Sequence, residues 1–467
     1  MATKVLTHFT TRPKSIEERI ESGKALRVKH PIVQLGEYTP PAKRADPVAI
    51  LEKQGETRLP DLVPIRYARM LASPFAFLRG AAAIMAGDLA HSKTSGIKVQ
   101  ACGDMHLANF GVFASAERKL IFGINDFDET LPGPWEWDLK RLVASIVVGV
   151  RFLGADDDVC SEAVKAAVKS YRKHMKKYAH MGYLETWYAT MSEKDIMEGL
   201  PDPARKALKK VTGKARERTH MQVLDKLTDI VDDKYRLKVN APFIVREKHS
   251  QKGRPIMEAL GLVLESYMKS LADDRRTLLE QYRIIDVARK VVGVGSVGTR
   301  CWVIFLAGNK DGDPLFLQVK EAQPSVLAPF IGKSKYQSQG QRVVSGQRLI
   351  QGAPDIFLGW GELDGIHFYV RQLRDMKGGV EFDPATVNLD NAIEYCKLCA
   401  WALALAHAKS GDAAMLYGYV GKHSDLDKAM VKFAFVYADQ NEKDYNALVA
   451  AAKSKRIKVA KAERLDE

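Results

Sequence analysis

The sequence predicts an α+β chain built as two lobes, a mostly helical large lobe and a small antiparallel β-sheet lobe. Three observations predict it. Residues 155–280 and 391–409 read as helix, the first stretch strongly charged and the second apolar. From Ile284 the pattern changes to strands broken by glycine, as in Val287 to Leu306 and Leu315 to Lys320. Near the first quarter, two short apolar strands each run into an acid, at Gly103-Asp104 and at Asn125-Asp126.

Taken in order, residues 1–55 form a polar N-terminal arm, in which Ser15 and Glu18 have capping-box spacing. Residues 56–150 form the segment of the large lobe that bears the two acid loops, the candidate catalytic and metal loops. Helical patterning starts near Ile65, meets Pro74 and runs to about Leu89; Phe75 to Met85 is apolar nearly all round and is expected to be buried. Ile97 to Cys102 and Lys119 to Ile124 are expected to pair as a small hairpin, with both acids at one end and Asn109 in the connecting loop. Leu131-Pro132-Gly133-Pro134 marks a turn, and the helix after it carries Asp138 in its first turn, where a negative charge favours the helix start.

Residues 151–280 form a helical, basic segment. Its densest runs, Lys169 to Lys177 and Arg205 to Arg218, read as solvated faces ahead of a nucleic-acid surface, because few aromatics are interleaved. Residues 281–380 are a nucleotide-covering β lobe: strand, glycine turn, strand, a third strand ending at Lys320, a helix from Tyr336 to Gln351 holding Gly340 and Gly346, and a strand from Ile366 to Leu373. Residues 381–467 are C-terminal helices with a basic tail. No internal repeat is present.

Composition narrows the class. The 467 residues are 46% hydrophobic and 27% charged, which is globular rather than disordered. Lys and Arg number 71 against 57 Asp and Glu, a net charge of +14. That admits nucleic acid, acidic lipid or phosphorylated ligands and selects none of them. No stretch of about 18 apolar residues occurs, so no membrane span is expected. Five scattered cysteines point to a reducing compartment. Cys396 and Cys399 form a lone CxxC inside an apolar helical run and read as buried thiols. With no apolar core for a signal peptide at the N-terminus, the expectation is a soluble cytoplasmic protein.

The acids carry the chemistry. Asp104, Asn109 five residues on, and Asp126-Phe127-Asp128 are the residue types a phosphoryl-transfer site needs. One carboxylate accepts a proton from a hydroxyl, and an amide oxygen and a second carboxylate hold Mg²⁺ against phosphates. Asp and Asn also occur in plain turns; the joined pattern is what favours a site. Gly293, Gly295 and Gly298 lie between two strands, which is the setting of a phosphate-covering glycine loop rather than of a dinucleotide fingerprint, where a helix follows. Lys320 lies on the third strand, placed to reach phosphates as a point charge.

The order Gly-Asp-x-His-x-x-Asn followed by Asp-Phe-Asp resembles the catalytic and metal loops of the kinase-like fold, in particular the aminoglycoside and choline phosphotransferase branch. The longer stretches Ser73–Ala82, Cys102–Gly111, Asn125–Thr130, Gly133–Arg141, Gly293–Arg300 and Tyr369–Lys377 resemble an uncharacterised bacterial family, domain of unknown function 2252, over roughly residues 45 to 450. The kinase-like resemblance implies Asp104 as catalytic base and Asn109 and Asp126 as metal ligands, with Asp128 a further ligand or a group behind them. It implies Gly293, Gly295, Ser296, Gly298 and Lys320 as the nucleotide cradle, ATP and Mg²⁺ as cofactors, and Asp138 as a brace beneath the catalytic loop.

Three departures accompany it. The glycine turn follows the acid loops by about 190 residues instead of preceding them, which implies a circular permutation. The helix after the third strand has no Glu to pair with Lys320, and Glu321 would point to the opposite strand face. Cys102 stands where that branch has His. Arg371 and Arg374 are expected either to hold an anionic substrate or, somewhat preferred, to pair with surface acids. The expected function is ATP/Mg²⁺-dependent transfer of phosphate to a hydroxyl of a small-molecule acceptor. The alternatives are a nucleotide-binding pseudokinase or regulator, and AMP transfer from the same pocket.

Overall fold

The computed structural model describes residues 6–7, 9–217, 220–250, 252–309, 313–373, 378–380, 382–384 and 387–461. Its architecture is mixed α+β with several small antiparallel sheets. The helical body is organised around the helix Trp135–Phe152, which is buried from Trp135 to Val150. Its apolar side chains meet those of Asp157–Ala179, Leu389–Ser410 and Asp425–Lys453 in one large core. All five cysteines are free and buried, Cys396 and Cys399 among them. Ser15 and Glu18 do form a capping box on the helix Ile16–Lys29.

The apolar run expected from Ile65 to Leu89 is three helices, Val63–Met70, Pro74–Gly80 and Ala82–Leu89. Pro74 occupies a first turn, where a missing N–H has no consequence. The Ser73 hydroxyl caps that turn by accepting from the Ala76 N–H at 3.0 Å. The breaks let this segment fold back on itself and present several arginines to one side.

Strand pairing differs from the expected hairpin. β1 (Lys98–Ala101) pairs with β4 (Leu131–Pro134), while β2 (Phe110–Ala114) pairs with β3 (Leu120–Ile124). Phe110–Ala114 is itself an apolar strand, and the short turn after it makes pairing with β3 the local solution. The acid ends still converge, because the Asn125 N–H donates to the Asn109 carbonyl at 2.9 Å and ties the two loops together. β3 also pairs with the two-residue β5 (Met191–Ser192).

Segment 151–280 is not helical throughout. It contains the hairpin of β6 (Thr228–Val231) and β7 (Lys234–Leu237) and the short β8 (Ile244–Val245). Asp232 and Asp233 turn that hairpin with φ of 50° and 55°, the conformation that Asp tolerates in two-residue hairpin loops. The remaining strands are β9 (Arg283–Lys290), β10 (Cys301–Ala307), β11 (Pro314–Glu321), β12 (Gly359–Leu363) and β13 (Ile366–Gln372). They join β8 in a sheet of order β12-β13-β11-β10-β9-β8, antiparallel at every pairing.

Side chains alternate across this sheet. Leu315, Leu317 and Val319 face one way, into a core shared with Leu260, Val263 and Tyr267 of the helix Ile256–Ser270. Phe316, Gln318 and Lys320 face the other way. Beside Phe316 that face is covered by Val223, Leu224 and Leu227 of the helix His220–Leu227. The sheet body therefore begins near residue 220 rather than at 281. Helical periodicity tells which side of a helix is apolar, not which body that side is packed against.

The helix Gln339–Gln351 lies between the sheet and the acid loops. Gly340 permits the approach: a Cβ there would stand 2.1 Å from the Phe368 carbonyl oxygen, which is backbone and cannot swing aside. Gly340→Ala is expected to destabilise the protein by about 1–3 kcal/mol in denaturant unfolding, although alanine is the better helix former by about 1 kcal/mol. An unchanged midpoint would show that the helix stands further off the sheet. Among the described residues, no helix is long and apolar enough to cross a membrane.

Candidate active site

Asp104 follows β1 across Gly103, whose φ is +83°. The loop is held from below. The Asp138 carboxylate accepts from the N–H groups of Cys102 at 2.7 Å and Gly103 at 2.9 Å. His407 Nε2 stands 3.4 Å from that same carboxylate, and Tyr171 hydrogen-bonds the other ring nitrogen at 2.8 Å. The Asp104 carboxylate is fixed through one oxygen only. Arg141 Nε and Nη2 both donate to Oδ1, at 2.9 and 2.7 Å. Oδ2 is left toward the cavity, with His106 Nε2 at 3.7 Å. Burial raises the pKa of Asp104 against the pull of Arg141. Burial, with Arg79 and Arg141 nearby, holds His106 neutral by lowering its pKa well below the ordinary value.

Asn109 ends the short turn after Asp104, and its side-chain NH₂ donates to the Asp104 carbonyl at 2.7 Å. That orients the amide and leaves Oδ1 as an acceptor. Asp126 Oδ1 accepts from the Asp128 N–H at 3.1 Å. Burial and the neighbouring Asp128 raise the Asp126 pKa. Asp128 is held differently. Lys320 Nζ donates to Oδ2 in a close ion pair, and Tyr369 Oη donates to Oδ1 at 2.7 Å. Burial alone would raise Asp128, but the Lys320 charge and the two hydrogen bonds bring it below the usual range. Burial opposes the Lys320 charge, and Asp128 outweighs it, raising the ammonium pKa well above the ordinary value. Asp128 is thus the partner of Lys320. Both its oxygens are engaged, which leaves Asn109 and Asp126 as the oxygen donors open to an ion.

The helix Gln339–Gln351 lacks a glutamate but supplies Arg342. Its guanidinium donates to the carbonyls of Thr130, Asp128 and Gln323, each at 2.8 Å, and so pins the acid loop to the end of β11. Glu321 points away from Lys320, as the strand alternation requires, and pairs with Arg300 at 2.8 Å. Arg371 is not on the surface. It donates to Gln318 Oε1 at 2.9 Å and faces the Asn125 carbonyl at 3.3 Å. The expectation of a surface ion pair fails because Arg371 shares the inward face of the sheet with Lys320 and Tyr369. Arg374 lies outside the described residues.

The glycine turn between β9 and β10 closes over these loops. Gly293 and Gly298 have φ of +67° and +92°, which L side chains rarely adopt. A Cβ on Gly295 would stand 3.0 Å from the Arg79 carbonyl oxygen, so the turn lies directly against the helix Pro74–Gly80. Ser296 is used within the turn, its hydroxyl donating to the Val292 carbonyl at 3.1 Å. Gly293, Gly295 and Ser296 border a cavity of about 120 Å³ together with Asp104, Asn109, Asp126, Asp128 and Glu129. Gly298 and Lys320 stand behind its wall, Gly298 accepting from the Leu59 N–H at 2.8 Å. Two stretches some 190 residues apart in sequence thus meet at one cavity.

The model of a bacterial family, described as "uncharacterized protein conserved in bacteria (DUF2252)", matches residues 58–451. The chain belongs to this family. No curated protein and no solved structure matches it.

In this DUF2252 protein the donor set suits a hard cation. Asn109 and Asp126 offer oxygen only, and Mg²⁺ is bound through one or two carboxylates with water and phosphate completing its shell. Among the described residues, no group of three or more His, Cys, Asp or Glu forms a metal cluster. An ion here would depend on its substrate for ligands.

Sequence reasoning passed over Glu129 and the arginines facing it. Glu129 follows Asp128 in the quoted motif and could have been singled out there. Its carboxylate accepts from the Val326 N–H at 2.7 Å. Burial, partly countered by Arg342, pushes its pKa up to about 7. A carboxyl raised in the fold stabilises it below the unfolded value, near 4.5, and loses that contribution as pH rises through the folded value. The stability advantage of wild type over Glu129→Gln, measured by denaturant unfolding in EDTA, is therefore expected to shrink between pH 4.5 and 7. A difference that stays flat over that window would place Glu129 in a wetter setting.

Proposed function

We propose that this DUF2252 protein is an ATP- and Mg²⁺-dependent phosphotransferase of kinase-like, permuted construction that acts on a hydroxyl of a small-molecule acceptor. One observation carries the reading: Asp104, the open oxygens of Asn109 and Asp126, and the glycine turn border the same cavity, with Lys320 paired into its wall. Asn109 and Asp126 would hold Mg²⁺, which when bound would offset the charge on the transferred group. Asp104 Oδ2 would orient the acceptor hydroxyl and take its proton, with Arg141 fixing the other oxygen. Lys320 sits on the third strand of the run β9-β10-β11, and a helix follows that strand, as in kinases. Asp128 stands in for the glutamate that such a helix would supply. Chain order does not matter to such a site, since chemistry depends on positions in space.

The cavity is smaller than a nucleotide site, for which about 300 Å³ is a lower bound. Binding would require residues 291–300 to lift from the Pro74–Gly80 helix. The test is a mass-resolved search for modified acceptors in lysate with ATP, comparing wild type with Asp104→Ala. Phosphoryl addition that depends on Mg²⁺ and on Asp104 is the expected result. Transfer of AMP would replace this reaction with nucleotidyl transfer, and no modification at all would sink both.

One observation favours a regulatory reading instead. The sheet face beside Phe316, along which a base could lie if its phosphates reached Lys320, is covered by Val223, Leu224 and Leu227. ATP binding without turnover against broad acceptor pools would support that reading.

A further inference from the structure

Burying a cation without a partner costs several kcal/mol, and arginine cannot escape by releasing its proton. Several of this chain's arginines meet that cost with carboxylates. Arg44 is paired with Asp88 and Asp444, each at 2.6 Å, Arg172 with Asp427 at 2.7 Å, and Arg141 with Asp104 at 2.7 Å. Three arginines that border one cavity have no such partner: Arg58, Arg66 and Arg79. Among the described residues, none of them forms an ion pair with a carboxylate within 4.0 Å.

Arg66 is the most telling. It is 1% exposed. Its Nη2 donates to Gln54 Oε1 at 2.7 Å and to the Gly80 carbonyl at 3.2 Å. Its Nε and Nη1 are buried with no acceptor at all. The Nε groups of Arg58 and Arg79 are likewise buried and unmet. Around the cavity, Asp104 is neutralised by Arg141, Asp128 by Lys320 and Glu321 by Arg300. Three unpaired guanidinium groups then face two carboxylates without an ion pair, Asp126 and Glu129, so the space is short of negative charge. Its 120 Å³ corresponds to about four waters at liquid density, room enough for one tetrahedral oxyanion. The guanidinium fork matches the spacing of phosphate oxygens.

We propose that Arg58, Arg66 and Arg79 form a subsite for a phosphate group, facing the carboxylates across the cavity. The ligand chemistry is a tetrahedral oxyanion with two charges, on either the nucleotide's phosphate tail or a phosphorylated acceptor. The assignment of that group to substrate rests on the phosphotransfer reading; the binding itself does not. The three side chains come from one folded-back segment, which also touches the glycine turn: Arg69 Nη1 donates to the Gly293 carbonyl at 2.5 Å. An anion held there would lie between that segment and the acid loops. The large cleft lined by Lys43, Lys53, Lys333 and Lys335 shares Gln54, Glu321 and Gln323 with this cavity and gives it a basic approach.

The test uses the full chain in EDTA, with inorganic phosphate titrated against chloride at matched ionic strength, read by thermal unfolding and calorimetry. Phosphate is expected to raise the melting temperature. Binding is expected to weaken at least about tenfold in Arg66→Met and in Arg79→Gln, because each removes a charge-assisted hydrogen bond. Asp126→Asn should keep or strengthen it. Should Arg66→Met fail to fold, Arg58→Gln and Arg79→Gln, at partly buried positions, carry the comparison. Phosphate acting no better than chloride, or binding unchanged in the arginine variants, would overturn the subsite. Displacement of phosphate by ATP but not by AMP would assign the subsite to the nucleotide tail, and simultaneous binding would assign it to the acceptor. Phosphate binding in a protein that never turns over ATP would leave the subsite standing and remove the catalytic reading.

Discussion

Asp126→Ala is expected to bring Mg²⁺-dependent phosphoryl transfer to the detection limit, and Asp104→Asn to slow it by about 10²–10⁴-fold. The two losses should look different. Asp126 is a cavity carboxylate without an ion-pair partner, and Asn109 offers only a neutral oxygen beside it. Removing Asp126 leaves no charged ligand for the ion, so the Mg²⁺ requirement should rise steeply before activity disappears. Asp104→Asn preserves shape and one acceptor but removes the group that would take a proton. It should lower kcat and leave nucleotide affinity nearly unchanged, the pattern of an interaction made in the transition state. Initial rates across a Mg²⁺ series separate the cases. Full activity in Asp104→Asn would reduce Asp104 to a structural partner of Arg141.

The second large effect concerns stability. Asp128→Ala is expected to cost about 3–5 kcal/mol, because it leaves Lys320 charged and buried without a partner. Lys320 is 2% exposed, and its ammonium has no other carboxylate within ion-pair distance among the described residues. Replacing both members, as in Lys320→Met with Asp128→Leu, should recover most of the loss, since a buried pair is often no better than packed apolar groups. Denaturant unfolding of the two singles and the double variant closes the cycle. Equal, additive losses would mean that the two side chains do not depend on each other. All three variants should be inactive, the double one while folded, which would separate the function of the pair from its stability.

Much of the candidate site was legible in the chain. Asp104, Asn109 and Asp126 sit within 23 residues, the two acids just past apolar strands and Asn109 in the loop between them, and local rules of strand, turn and acid suffice to place them. The glycine turn was read correctly as joining two strands, because β-branched residues follow it. Lys320 was placed on its strand for the same reason. The pairing of β1 with β4 was not legible, since a four-residue strand carries too little alternation to choose between neighbours. Nor was the partner of Lys320. The helix after β11 lacks an acid, and the carboxylate that replaces it lies 192 residues earlier.

The sequence alone determined which residues have the chemistry: carboxylates and an amide in one short stretch, glycines where the backbone must turn, and a lysine on a strand. Those properties are local, set by side-chain type and backbone preference over a few residues. Tertiary structure decided which of them are free to act. It engaged Asp128 with Lys320 and Tyr369, turned Arg342 to the acid loop's carbonyls, and left Arg58, Arg66 and Arg79 at a shared cavity with no carboxylate paired to them. Whether a charge is neutralised depends on what is packed within a few ångströms of it, and those neighbours come from segments hundreds of residues apart.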